Sequence, residues 1–209
     1  MSSSPLPGII LAAGRSQRMG KNKLLLPFRN KPILQHVLDT ALNSSLSPLI
    51  LVLGPDSDLL QSGIIPGSAL VVENPDAANG YSSSLQAGLR ALDSSPDGAM
   101  FLLGDQPLVK AATIETLIQA FQQEPERWIA PAWKGQRGNP VITPASWFDK
   151  IFALTGDTGP RRHLTDPAAM LKIMEVADRG VVFDIDNPAD YQLLKADQQA
   201  AVPLGTARQ

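Results

Sequence analysis

The sequence predicts an α/β protein built on a mostly parallel sheet with helices on both faces. Short apolar runs at 8–12, 49–53, 69–72, 99–103 and 128–130 have the length of buried strands. Between them, 32–42, 82–92 and 111–121 place apolar residues at helical spacing. Strands that alternate with helices pair in parallel through crossovers, and the helices then cover both faces. The first run also empties into a glycine-bracketed loop carrying several cations. In such sheets ligands collect outside the carboxyl ends of the strands.

Taken in order, the first run is Gly8-Ile9-Ile10-Leu11, bounded by Pro7 and Gly14. The loop that follows carries Arg15, Arg18, Lys21 and Lys23. Glycine lets backbone approach a ligand closely, and loop N–H groups can then be aimed at an anion. We read the loop as a cradle for a triphosphate. It is not a Walker A loop: five residues separate Gly14 from Gly20, and Asn22 stands where Ser or Thr would hold magnesium. Nor is it a dinucleotide fingerprint, because Ser16 occupies the second glycine position. Pro32 suits the start of the first helix, whose apolar positions are Ile33, Leu34, Val37, Leu38 and Ala41.

In the second helical segment, Ser82, Ser83 and Ser84 follow Gly80 and offer hydroxyls and free N–H groups; one of them is expected to cap the helix. The fourth strand ends in Gly104-Asp105-Gln106-Pro107. A carboxylate there lies at the strand's mouth, as a turn residue or as a hard oxygen ligand for magnesium. Two later strands are expected near 171–176 and 181–185. On an extended 181–185 strand, Asp184 and Asp186 point to one face and Ile185 to the other. Asp190 suits the first turn of a terminal helix, where negative charge meets the dipole.

Composition excludes several chemistries. The chain has 209 residues, enough for one good-sized α/β core, with 18 basic and 20 acidic residues. That balance gives no reason to expect nucleic-acid or membrane partners. No cysteine is present, so disulfides, thiolate ligands and a cysteine nucleophile are absent. Two histidines, His36 and His163, cannot make a multi-histidine metal site, and both read as structural or surface residues. No apolar run reaches membrane-spanning length and no secretion signal opens the chain, so a cytoplasmic location is expected.

The loop spells L-A-A-G-x-S-x-R-M-G-x-x-K and resembles the MobA-like nucleotidyltransferases, most closely their molybdenum cofactor cytidylyltransferase branch. Further segments resemble the family's in the same order. They are G-x-S-S-S-L at Gly80, G-D-x-P at Gly104, G-[HN]-P-V at Gly138, G-D-x-G-x-R at Gly156 and D-I-D-x-P-x-D at Asp184. The resemblance implies a Rossmann-like nucleotidyltransferase fold; the absence of linker-like composition predicts one domain over 1–209, with its core at about 7–199 and a flexible 200–209 tail. It implies transfer of CMP from CTP to the phosphate of a molybdopterin-type acceptor, with release of pyrophosphate. Guanylyl transfer, transfer to a sugar 1-phosphate, or nucleotide binding without turnover are the alternatives.

By the same resemblance, Leu11, Ala12, Ala13, Gly14, Arg18, Lys23, Gly80, Ser84 and Asp105 bind the nucleotide. Ala12-Ala13-Gly14 is the form typical of cytidylyl transfer. Lys23, Arg18 and Asp105 are the catalytic candidates, and Arg15 and Lys21 are expected to be solvated. Asp105 and Asp186 match the magnesium positions, with manganese possible and Asp184 able to replace Asp186. Asn139, Thr158 and Arg161 match acceptor-binding positions, although Pro160 stands where the family usually has Ala. Trp128, Trp133 and Trp147 are read as core residues rather than as platforms for a pterin. Cofactor intermediates are labile, so hand-over of the product to a molybdoenzyme or its chaperone is expected, although no segment of the sequence identifies that partner.

Overall fold

The structure, a computed structural model, describes residues 5–14, 22–55, 58–93, 95–164 and 166–200, without the side chains of 161, 167 and 197–200. Its elements are β1 (Gly8–Ala12), β2 (Pro27–Phe28), β3 (Lys31–Pro32), α1 (Ile33–Leu42), β4 (Leu49–Leu53), β5 (Leu70–Glu73), α2 (Tyr81–Arg90) and β6 (Gly98–Leu103). Then follow α3 (Ala111–Gln123), β7 (Ile129–Trp133), β8 (Gln136–Arg137), β9 (Val141–Pro144), α4 (Phe148–Phe152), β10 (Lys172–Glu175) and α5 (Pro188–Ala200). The main sheet runs β10-β7-β9-β6-β1-β4-β5, with β8 on the edge of β7; β2 and β3 form a separate hairpin.

β1 lies inside the sheet because every residue in it is buried. It pairs in parallel with β4 on one side, Ile10 opposite Leu51, and with β6 on the other, Leu11 opposite Leu103. The chain winds outward from β1 through β4 to β5, then crosses to β6. The mouths of β1 and β6 therefore flank the switch point where an open α/β sheet receives its ligand. Alternation along β1 divides the core. Ile10 and Ala12 face α1 and α3 through Leu34, Leu38, Ile114 and Leu117. Ile9 and Leu11 face α2 and α4 through Leu85, Leu89 and Ile151. The α/β architecture with helices on both faces is thus present, and no described helix is long and apolar enough to cross a membrane.

The sheet is mostly parallel, as expected, with β9 antiparallel to both β6 and β7. One expectation is corrected. The strand expected at 181–185 is instead a 3₁₀ turn, Arg179–Val182, followed by extended chain. Asp178 draws that turn tight by accepting from Gly180 N–H (2.9 Å). The apolar residues that suggested a strand are buried by docking on the end of the sheet. Val181 and Ile185 are both fully buried, and Ile185 N–H bonds the Asp105 carbonyl (3.3 Å) rather than a ladder partner. Trp128 and Trp147 lie in a core cluster with Val141 and Leu164. His36 Nε2 pairs with the Phe28 carbonyl (2.6 Å), and the His163 ring lies against Trp147.

Candidate functional site

A cleft of about 990 Å³ opens at the switch point, lined by residues 11–14 of β1 and its loop, Lys23, Gly80, Ser84, Asp105, Asp184 and Asp186. These come from five separated stretches of chain, and each is placed by local structure. Asn22 accepts from Leu24 N–H (3.2 Å) and turns the chain into a short 3₁₀ helix that begins with Lys23. Gly104 N–H continues the β1–β6 ladder to the Leu11 carbonyl (3.0 Å), which holds Asp105 at the strand's mouth. Asp186 is delivered from the other end of the chain. Ile185 and Leu194 pack with Phe28 and Ile33, and the Tyr191 hydroxyl donates to the Pro27 carbonyl (2.7 Å). Asp190 accepts from the N–H groups of Asp186 (2.9 Å) and Asn187 (3.0 Å), so it fixes the turn beneath Asp186 while Asn187 caps α5.

Lys23 Nζ stands between two carboxylates, 2.6 Å from Asp105 Oδ2 and 3.0 Å from Asp186 Oδ1. Burial works to lower the Lys23 pKa, but Asp105 first and Asp186 second outweigh it and raise it, so the ammonium is held charged. Asp184 is displaced upward, by burial first and then by the charges of Asp105 and Asp186. A position already held by a cation among hard carboxylate oxygens fits a divalent ion such as Mg²⁺ or Mn²⁺. Among the described residues no group of three or more His, Cys, Asp or Glu side chains is arranged to hold a metal alone. Such an ion would therefore share its coordination with water and ligand phosphates, as magnesium commonly does. Arg15, Arg18 and Lys21 lie outside the described residues.

The first turn of α2 corrects a further expectation. Its N–H groups are not free: Tyr81 N–H donates to Asp157 Oδ1 (3.1 Å) and Ser82 N–H to the Gly156 carbonyl (3.1 Å). Ser83 Oγ donates to the Gly80 carbonyl (2.8 Å). Asn74 Nδ2 donates to both Ser83 Oγ (2.9 Å) and Ser84 Oγ (3.1 Å), and Ser84 lines the cleft. Gly80 sits at φ +98°, and a Cβ there would meet the Gly156 carbonyl carbon at 2.4 Å. Tyr81 and Asp157 had no role in the sequence reading. Tyr81 could have been flagged only as the residue after the glycine, and Asp157 only as part of a loop motif.

A second cleft of about 430 Å³ adjoins the first and shares Tyr81, Leu103, Asp157 and Asp184 with it. Its remaining lining includes Gln106, Gln136, Arg137 and Asn139, a set of amides with one guanidinium. Asn139 is brought there because its N–H donates to the Val181 carbonyl (2.8 Å). Thr158 is not among the lining residues, and its hydroxyl bonds the Thr155 carbonyl within its own loop. The Arg161 side chain lies outside the described residues, although its backbone belongs to the 3₁₀ turn Pro160–His163.

A family model described as the MobA-like NTP transferase domain matches residues 8–171. Asp184 and Asp186 lie beyond that match, but full-length relatives extend over them. Purine catabolism protein PucB of Bacillus subtilis (strain 168) is 31% identical over 204 residues, 93% of this chain and 98% of its own. Nicotine blue oxidoreductase of Paenarthrobacter nicotinovorans is 26% identical over 207 residues, 93% of this chain and 100% of its own. The crystal structure of Rv0371c from Mycobacterium tuberculosis H37Rv aligns with a TM-score of 0.81 at 26% identity, covering 93% of this chain and 100% of that one. A structure of Rv0371c in complex with manganese aligns with a TM-score of 0.76 at 26% identity, over 91% and 98% of the two chains.

Proposed function

The chain belongs to the MobA-like NTP transferase family, and from that premise we propose that this nucleotidyltransferase moves CMP from CTP to the phosphate of a molybdopterin-type acceptor. The observation that carries the reading is Lys23 between Asp105 and Asp186, in a cleft that shares a wall with a second one. Molecules filling both clefts would meet beside these charges. A phosphate monoester is already nucleophilic at neutral pH, so the reaction needs positioning and charge neutralisation more than a general base.

In this reading the triphosphate lies against Gly14 and Lys23, with Arg18 assigned to it by the loop motif. Ala12 and Ala13 give the base a flat wall of backbone and small side chains. Gly80 and the Ser84 hydroxyl face the ribose and base side. Lys23 balances Asp105 and Asp186 in the free protein and is the described cation beside them that a triphosphate would meet. Asp105 and Asp186 would hold a divalent ion, Mg²⁺ or Mn²⁺, and the manganese complex of the related Rv0371c supports this choice. When bound, that ion would offset triphosphate charge and polarise the α-phosphate. Asn139, with Gln106, Gln136 and Arg137, would bind a planar, hydrogen-bonding acceptor in the second cleft, and Arg161 its phosphate.

The test is pyrophosphate release by the purified protein with Mg²⁺ and molybdopterin, with CTP compared against GTP. CTP should be turned over at least about tenfold faster at equal concentration, since a wrong base leaves buried polar groups unpaired. Faster release from GTP would replace the nucleotide, and release with a sugar 1-phosphate but not molybdopterin would replace the acceptor.

A further inference from the structure

The segment from α4 to Gly159 rests on α2 at several points. The Gln86 amide on α2 reaches the Ile151, Phe152 and Leu154 carbonyls (3.4, 3.2 and 2.9 Å), closing the end of α4. The Gly156 carbonyl accepts from Ser82 N–H, and Asp157 accepts from Tyr81 N–H. Gly80 leaves no room for a Cβ against Gly156, and a Cβ on Gly159 would lie 2.7 Å from the Tyr81 ring. A helix start leaves N–H groups that its own N-cap side chain commonly takes. The N-cap of α2 is Gly80, which has no side chain to do so. The cap comes instead from a carboxylate 76 positions later in the chain. Its charge also suits the positive end of the helix.

This geometry has a consequence for the two clefts. The first turn of α2 lines the nucleotide side through Gly80 and Ser84, while Gly159 and Pro160 line the other side. Tyr81 and Asp157 line both. We propose that Asp157 is a positioning residue that couples the clefts: by capping Tyr81 N–H it locks the 154–159 loop to α2, so that filling one cleft favours filling the other. The inference rests on the nucleotide reading above, and by linkage the coupling acts equally in both directions. The Ser82–Gly156 bond and the close Gly80–Gly156 contact hold one point of the loop on α2, and the Asp157 bond adds a second point at the next residue.

The experiment compares full-length wild type, Asp157→Ala and Asp157→Asn, since asparagine keeps an oxygen that can accept from N–H. Hydrogen exchange is followed at residues 81–82 and 155–160, with and without CTP and Mg²⁺, alongside the Kd for CTP and the KM for molybdopterin. In Asp157→Ala the 81–82 amides should exchange about tenfold faster, the size of a lost cap. CTP should still bind within about threefold of wild type but no longer protect 155–160. The molybdopterin KM should rise about tenfold with kcat kept, and Asp157→Asn should restore each value. Unchanged exchange in Asp157→Ala, or equal losses in Asp157→Ala and Asp157→Asn, overturns the proposal. If CTP binds wild type without protecting 155–160, the coupling is refuted while the nucleotide reading stands. If no nucleotide binds wild type, the nucleotide reading falls and takes the coupling with it.

Discussion

The two adjoining clefts share four residues yet are made of opposite materials. The first is walled by the ends of parallel strands, small residues and backbone, and its chemistry is charge: Lys23 between Asp105 and Asp186, with Asp184 beside them. The second lies beside antiparallel β9 and offers Gln106, Gln136, Asn139 and Arg137 above the apolar Phe101, Val141 and Val181. Charge gathered at the mouths of β1 and β6 suits a polyphosphate reaction, where stabilisation comes from preorganised groups. Amides around an apolar floor suit recognition of a flat polar molecule. On the proposed reading, one cleft neutralises and the other discriminates.

Removing the central cation tests this division most severely. Lys23→Ala should lower turnover on the order of 10²-fold or more at saturating CTP, as loss of a preorganised charge partner does. Pyrophosphate release measures it, and a near-normal rate would take Lys23 out of the reaction. Gly138→Ala strikes the frame of the second cleft, because a Cβ there would come within 2.0 Å of the Val181 carbonyl oxygen. About 1–3 kcal/mol of stability should be lost through overpacking, whereas Gly14→Ala, with nothing within 4 Å, should change it by less than about 0.5 kcal/mol. Equal midpoints in urea unfolding would refute the tighter packing of the second wall. Asn139→Ala should raise the acceptor KM about tenfold and leave the KM for CTP alone, the cost of one buried hydrogen bond. A shift in the CTP value instead would merge the two clefts into one.

The smallest effect belongs to neither cleft. Burial pushes the Asp39 carboxyl up, but hydrogen bonds from Lys31 and Gln35 prevail and hold it below its usual value of 3.8. A depressed carboxyl adds stability above its unfolded-state pKa, and this is lost as pH falls through the folded one. Lys31 and Asp39 are partly solvated, so only a fraction of about 1 kcal/mol is at stake. Asp39→Asn should therefore lower the urea midpoint slightly at pH 7, with the gap to wild type closing below about pH 4. A gap that stays constant with pH would assign the loss to geometry rather than charge.

The parallel half of the molecule was legible because its strands are continuous apolar runs. The 8–12 and 49–53 runs match β1 and β4 residue for residue, and β6 begins one residue early at Gly98. β9 was missed because Val141–Pro144 is short, flanked by Pro140 and ended by Pro144, which reads as loop rather than strand. The 181–185 segment deceived for the opposite reason. Its apolar spacing mimics a strand, but the Asp178 turn and the docking of Ile185 on Asp105 consume the backbone bonds a ladder needs. In the site, motif spelling brought Lys23, Asp105 and Asp186 into one list, and the structure brings their side chains together. It could not reveal that Asp157 caps a helix from a distant loop, because a tertiary cap leaves no local pattern. The same holds for Asp178, which accepts from Lys110 N–H (2.9 Å) and the Thr113 hydroxyl (2.6 Å) at the start of α3.

Lys23 and Asp186 are 163 positions apart, and that separation governs when the protein can become competent. During synthesis the N-terminal strands can pair early, yet the pocket remains electrostatically unfinished until α5 emerges and seats Leu194 beside Phe28. A chain halted before that helix would carry Asp186 but lack Asp190 and Leu194, which hold its segment in place. Docking of α5 is what brings the third member of the charge triad into place.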